Sequence, residues 1–254
     1  MRFPVSGRRT ARKATPVRRS AARRAADDTG APLEARSLYR FYRVDDDETL
    51  ALQGVSLQVW PGELVVVAGP SGSGKSTLLA CLAGLDEPSG GAVYVNGMRV
   101  SHQPEALQAR LRARNIGVLS RSGNLFAHLT VEQNMALAQS LAGQQRRHHR
   151  QRRHDSRDLL SSLGIAGRAH ARPVQLSGGE SARAGLAVAL ANDPAVLIAD
   201  EPTGELDSAN EARLLDLLVK RAHSGCAVMV ASHSPAVIRR ADRIITLLDG
   251  RVTS

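Results

Sequence analysis

The segment GPSGSGKST sets Gly69, Pro70, Ser71, Gly72, Ser73, Gly74, Lys75, Ser76 and Thr77 between an apolar run and a helix-like one. That context suits a phosphate. Glycines let backbone N–H groups curl round phosphate oxygens at a helix N-terminus, Lys75 reaches the β and γ phosphates, and the Ser76 hydroxyl can ligate Mg²⁺. The bland alternative is a Gly/Ser linker, and the strand–loop–helix context argues against it.

A second group follows in AVLIADEPTGELD, where an apolar run ends in Asp200. A carboxylate at that edge of a parallel sheet lies where nucleotides sit and suits Mg²⁺ held through its waters. Glu201 comes next, points to the other side of the strand end, and can polarise an attacking water. The run CAVMVAS delivers His233 to the same edge, where an imidazole can bond a γ-phosphate or that water. A lone His after a strand is ordinarily a turn residue, so its weight comes from its neighbours.

The third group is LSGGE, residues 176–180, where two adjacent glycines and an acid open the helix-like stretch SARAGLAVALA. Glycine is a poor choice in a helix, so something must need those positions.

The elements that would position these groups alternate. GELVVVAG is a continuous apolar run bounded by glycines, as a buried parallel strand reads. STLLACLAGL, ESARAGLAVALA, ANEARLLDLLVKRA and PAVIRRA have helical period, and AVLIAD, CAVMVAS and RIITLLDG read as strands between them. LEARSLYRFY and LALQGVSLQVW are expected as short strands, GAVYVNGMRV as a hairpin and RNIGVLS as a short strand. Helices are expected over NLFAHLTVEQNMALAQSLAG and DSRDLLSSLGI, and RRHHRQRRH is a solvated helical face rather than a metal site, since its arginines repel cations. This alternation predicts an α/β fold with a mainly parallel sheet core.

Of the formal charge of +10, nine basic residues and no acidic ones fall within Met1 to Ala26, so the basicity describes a tail. Residues 1–32 are Arg/Ala/Ser/Pro-rich with little to bury and are expected to be a basic disordered tail. Arginine outnumbers lysine 31 to 3 across unrelated segments, which lowers the meaning of any one arginine. Cys81 and Cys226 lie in apolar runs with no ligand-spaced partner and read as packed thiols, which suits the cytosol. No apolar run is long enough to span a membrane, so a membrane role must come through a partner.

Taken in order, GPSGSGKST, LSGGE, LIADEPTGELD and the SHS around His233 resemble the ATP-binding subunits of ABC transporters over about Leu33 to Val252. LSGGE discriminates, because phosphate loops are shared by many nucleotide enzymes. The resemblance implies a phosphate-loop α/β fold at 33–254 with a small antiparallel β subdomain and a helical subdomain inserted at about 123–175. It implies an ATPase that uses ATP and Mg²⁺ and closes as an ATP-dependent homodimer. In it, Ser177, Gly178, Gly179 and Glu180 meet the γ-phosphate held by a second copy. Tyr42, 33 positions before Lys75, resembles the aromatic that stacks on adenine, Asp207 a dimer-contact residue and His233 a switch histidine. A separate membrane permease is implied as the driven partner, with the chain peripheral on the cytoplasmic face; nucleic acid is not implied. LTVEQNM and ADRIITLLDGRV further resemble the subgroup serving lipoprotein-releasing, macrolide-exporting and cell-division permeases.

One departure stands out. Where the family usually carries a glutamine after a short strand, IGVLSRSGNL has Arg121. A guanidinium has only donors and cannot ligate a metal. Its side chain turns to solvent, or pairs with the γ-phosphate, or the loop shifts so that Ser120, Ser122 or Asn124 supplies an oxygen. The alternative function is a regulatory subunit that hydrolyses ATP weakly because of Arg121.

Overall fold

The computed structural model describes residues 30–44, 47–121, 124–143 and 149–253. Residues 1–29, which hold nearly all of the expected tail, and Ser122 lie outside them. The folded part is already under way before Leu33: Ala31 is buried, and the Pro32 carbonyl accepts from the Asn96 amide at 2.9 Å.

A six-stranded sheet runs β10-β9-β3-β8-β7-β6. Its parallel members are β3 (Leu64–Ala68), β6 (Ile116–Leu119), β7 (Val196–Asp200), β8 (Ala227–Ala231) and β9 (Arg243–Leu248), with β10 (Arg251–Val252) antiparallel at the edge. The LVVVA of β3 is apolar at every position, with three β-branched valines at its centre, because both its faces are covered. Val65 and Val67 enter one core with Leu78 and Leu82, while Leu64 and Val66 enter another with Leu186, Leu214 and Leu218. Each such side chain contributes about 1.5–3 kcal/mol by burial. Val66→Asp would put an unpaired charge among them and unfold the sheet.

The first core is roofed by an antiparallel sheet ordered β2-β1-β4-β5: β1 (Leu33–Val44), β2 (Asp47–Val59), β4 (Gly90–Val95) and β5 (Met98–Arg99). β1 and β2 are 12 and 13 residues long, against the short strands expected. Register shifts between Ala35 and Phe41 hide the length, since bulges interrupt the alternation that marks a strand.

The helices are α1 (Lys75–Leu82), α2 (Glu105–Asn115), α3 (Val131–Leu141), α4 (His149–Ser162), α5 (Gly178–Leu190), α6 (Ser208–His223) and α7 (Pro235–Arg239). α2 is not anticipated from the sequence, because it buries no residue and so carries no apolar period. α3 starts later than the pattern from Asn124 suggests. Thr130 and Gln133 form a capping box there, and the buried Asn134 side chain bonds the Phe126 amide and the carbonyls of Phe126, Leu129 and Thr130. α3, α4 and two short turns at 166–168 and 173–175 lie between β6 and α5. Part of RRHHRQRRH falls within α4, and the rest lies outside the described residues. Both cysteines are buried, and burial pushes the Cys81 thiol up to about 12 and raises that of Cys226, so neither is reactive.

Candidate nucleotide site

β3 ends under a loop that turns into α1. Gly74 takes the N-cap position at φ 98°, and no side chain caps the helix, so its first N–H groups are left for a ligand. A Cβ at Gly74 would stand 2.4 Å from the Ala51 carbonyl, so β2 holds the loop too closely for any other residue. Lys75 folds over the loop, its Nζ donating to the carbonyls of Gly69 (2.9 Å) and Pro70 (2.8 Å).

A cavity of about 840 Å³ opens here. Tyr42, Gly69, Pro70, Ser71, Gly72, Gly74, Lys75, Ser76, Thr77, Arg121, Asp200, Glu201 and His233 all line it. Ser73 does not. It is buried, 2% exposed, and its Oγ has no hydrogen-bond partner among the described residues.

The strand ends supply acids as expected. Asp200 Oδ1 is buried without a partner among the described residues, an arrangement that costs free energy unless something binds it. With Ser76 lining the same cavity, this pair of oxygen donors is of the type that suits Mg²⁺. Glu201 sits at φ 44°, a conformation that costs a non-glycine residue on the order of 1 kcal/mol, and its amide donates to the Ala231 carbonyl at 2.9 Å. The turn swings its carboxylate to His233: Nδ1 is 2.8 Å from Oε1, and Ser232 Oγ donates to Oε2 at 3.2 Å. The sequence reading aimed His233 at phosphate or water and missed this contact.

Tyr42, also on the lining of the cavity, donates through Oη to Asp86 Oδ2 at 2.7 Å. Arg40 binds the same carboxylate through Nε (2.9 Å) and Nη2 (2.7 Å), with its guanidinium carbon 4.5 Å from the Tyr42 ring centre. The i, i+2 spacing in β1 places Arg40 and Tyr42 on one face, a signal available in the sequence. Asp86, 44 residues from Tyr42, had none.

Arg121 remains at the rim. Its Nε is 3.4 Å from Glu205 Oε1, with both side chains more than half exposed, and it lines the 840 Å³ cavity and also a small cleft beside Gly178, Ser181 and Leu206. Asn124 is not free to replace the family glutamine: its Oδ1 accepts from the Ser120 amide (3.1 Å) and hydroxyl (2.7 Å), and its amide donates to the Val118 carbonyl.

Ser177, Gly178, Gly179, Glu180 and Asp207 are outside the cavity. Ser177 caps α5: its Oγ accepts from the Glu180 amide at 3.3 Å, and Glu180 Oε2 accepts from the Ser177 amide at 2.9 Å. That amide, then Arg168 at 2.8 Å, holds the Glu180 carboxyl below its usual range. The Ser177 O–H can still donate. Gly179 serves its own chain: a Cβ there would lie 2.2 Å from Asn210 Oδ1. Asn210 bridges α5 and α6, accepting from Arg183 Nη1 (3.2 Å) and donating to Asp207 Oδ2 (2.8 Å). Asp207 in turn caps α6 by accepting from the Asn210 amide, which is the main cause of its lowered pKa. Asn210 therefore fills the space that a side chain at position 179 would take, a reason for glycine there that lies within the chain itself.

An uncapped helix start behind a glycine loop, facing paired acids at a parallel sheet edge, defines a phosphate-loop nucleotide-binding domain. The profile of a family described as ABC transporter matches residues 52–204. The lipoprotein-releasing system ATP-binding protein LolD of Hyphomonas neptunium is 39% identical over 221 residues, 87% of this chain and 96% of that protein. The macrolide export ATP-binding/permease protein MacB of the same organism is 39% identical over 222 residues, 87% of this chain but 34% of that protein. Among solved structures, the dimeric bacterial ABC transporter cassette MJ0796 superposes with a TM-score of 0.81 at 32% identity, covering 87% of this chain and 97% of its own. Its dimeric post-hydrolysis form bound to ADP and Pi gives 0.77 at 31%, with the same coverage. The chain belongs to the ABC transporter family.

Proposed function

We propose that this chain is the ATP-binding, ATP-hydrolysing subunit of a transporter, which pairs with a second copy around two ATP molecules and drives a separate membrane permease. The observation that carries the reading is the juxtaposition of Asp200 and Glu201 with the phosphate loop in one cavity. The match to a cassette solved with ADP and Pi supports hydrolysis, and the dimeric form of that cassette supports pairing.

The chemistry is phosphoryl transfer to water. Loop amides and the N-terminus of α1 take the phosphates, and Lys75 exchanges its two carbonyl partners for phosphate oxygens. Ser76 and Asp200 would hold Mg²⁺, which when bound neutralises phosphate charge. Glu201, fixed by Ser232 and His233, orients a water and takes its proton as oxygen attacks the γ-phosphorus and the bond to the β-phosphate oxygen breaks. The strain at Glu201 is consistent with a group held for that task. Ser177 and the start of α5 serve the second copy's nucleotide. The weakly hydrolysing regulatory alternative finds no support in the comparisons.

No described helix is long and apolar enough to cross a membrane, and the similarity to LolD and MacB supports a permease as the driven partner. An apolar groove of about 580 Å³ beside the Arg121 loop, lined by Leu85, Ile116, Val118, Leu141 and Val188, suits its docking on the cytoplasmic face.

Glu201→Gln tests the reading. ATP binding should persist, hydrolysis should slow at least about 100-fold, and an ATP-bound dimer should accumulate. Normal turnover in the variant would remove Glu201 from the mechanism.

A further inference from the structure

Tyr42 is restrained on two sides. Its hydroxyl is tied to Asp86, and the Arg40 guanidinium lies over its ring at 4.5 Å, within cation–π range. Arg40 cannot easily leave, because it grips both oxygens of Asp86 at 2.7 and 2.9 Å in a fork that a carboxylate matches. Both members of the pair are only about a quarter exposed, so the contact is less screened than a surface ion pair. Tyr42 lines the cavity, and Arg40 and Asp86 do not.

We infer that Arg40 and Asp86 are positioning residues that hold Tyr42 as a preformed, one-sided stacking platform selecting a purine over a pyrimidine nucleoside triphosphate. The inference rests on the cavity being a nucleoside triphosphate site. A ring that could swing would lose part of its stacking gain in being ordered; a ring pinned by its hydroxyl and one face loses little. The free face then offers area rather than directed bonds, and a two-ring base covers more of it than a one-ring base. The amide of Gln53, which also lines the cavity, is already bonded to the Asp249 carbonyl and to Arg251.

The test measures Mg²⁺-supported binding of ATP, CTP and inorganic tripolyphosphate to the full chain, its Asp86→Asn variant and its Arg40→Gln variant. The wild-type chain should prefer ATP to CTP about tenfold. Each variant should bring that ratio below about threefold by losing ATP affinity, with tripolyphosphate affinity unchanged. An unchanged ratio in both variants would overturn the inference, as would a parallel loss of tripolyphosphate, which would mean that the pair merely supports the loop. Equal ATP and CTP affinity in the wild-type chain would overturn the platform alone. Failure of that chain to bind any of the three would instead refute the nucleotide reading.

Discussion

α1 and α5 both start beside glycines, and they begin in opposite ways. α1 starts at Gly74 with no side-chain cap, while α5 starts at Ser177 with a complete capping box. The bare start faces a cavity of its own chain; the capped one lies outside that cavity. An uncapped N-terminus is tolerable where a ligand will satisfy it, whereas a start that waits for another molecule must stay folded meanwhile. Capping leaves the Ser177 hydroxyl hydrogen to offer outward without leaving α5 to fray.

Breaking that division should have its largest effect at Ser177. Ser177→Arg would crowd a facing nucleotide, so Mg-ATP should no longer produce dimers on size exclusion, although single-chain ATP affinity should be kept. An unchanged dimer fraction would mean that α5 faces no partner nucleotide. The adjacent glycines give a smaller effect with a sharper contrast. Gly179→Ala meets Asn210 at 2.2 Å and should cost about 1–3 kcal/mol in thermal or urea unfolding, whereas Gly178→Ala, whose nearest neighbour is 4.0 Å away, should cost less than about 0.5 kcal/mol. Equal costs would show that Asn210 moves aside freely. The smallest effect is in acid. Glu180 and Asp207 both titrate below their usual values, so their stabilisation is complete above the ordinary carboxylate range and is lost as pH falls through the lowered folded values. Glu180→Gln should therefore lower Tm slightly at neutral pH and flatten its fall through the acid window, so that the two curves of Tm against pH converge in acid; a variant with the wild-type curve throughout would count against the capping account.

The two helix starts were also unequally legible in the sequence. α1 could be read because everything that defines it is local: an apolar strand, a glycine loop, Lys75 and an apolar helix in one run. The need for Gly179 could not, since the group that excludes a side chain there is Asn210, on another helix. Asp86 escaped for the same reason, with its partners Arg40 and Tyr42 more than forty residues away. α2 escaped for the opposite reason, having nothing buried to mark it. Paired acids at the end of β7 were visible, but the left-handed turn that sends Glu201 to His233 and Ser232 was not.

The position of Asp86 has one more consequence. It follows α1, whose other end opens the phosphate loop, so a single eight-residue helix joins the anchor of the base platform to the cradle for the phosphates. At about 1.5 Å per residue this is a rod of roughly 12 Å. Such a rod works as a caliper: the separation between its jaws is set by covalent chain and helix geometry, and a molecule too short or too long between its flat end and its charged end cannot satisfy both.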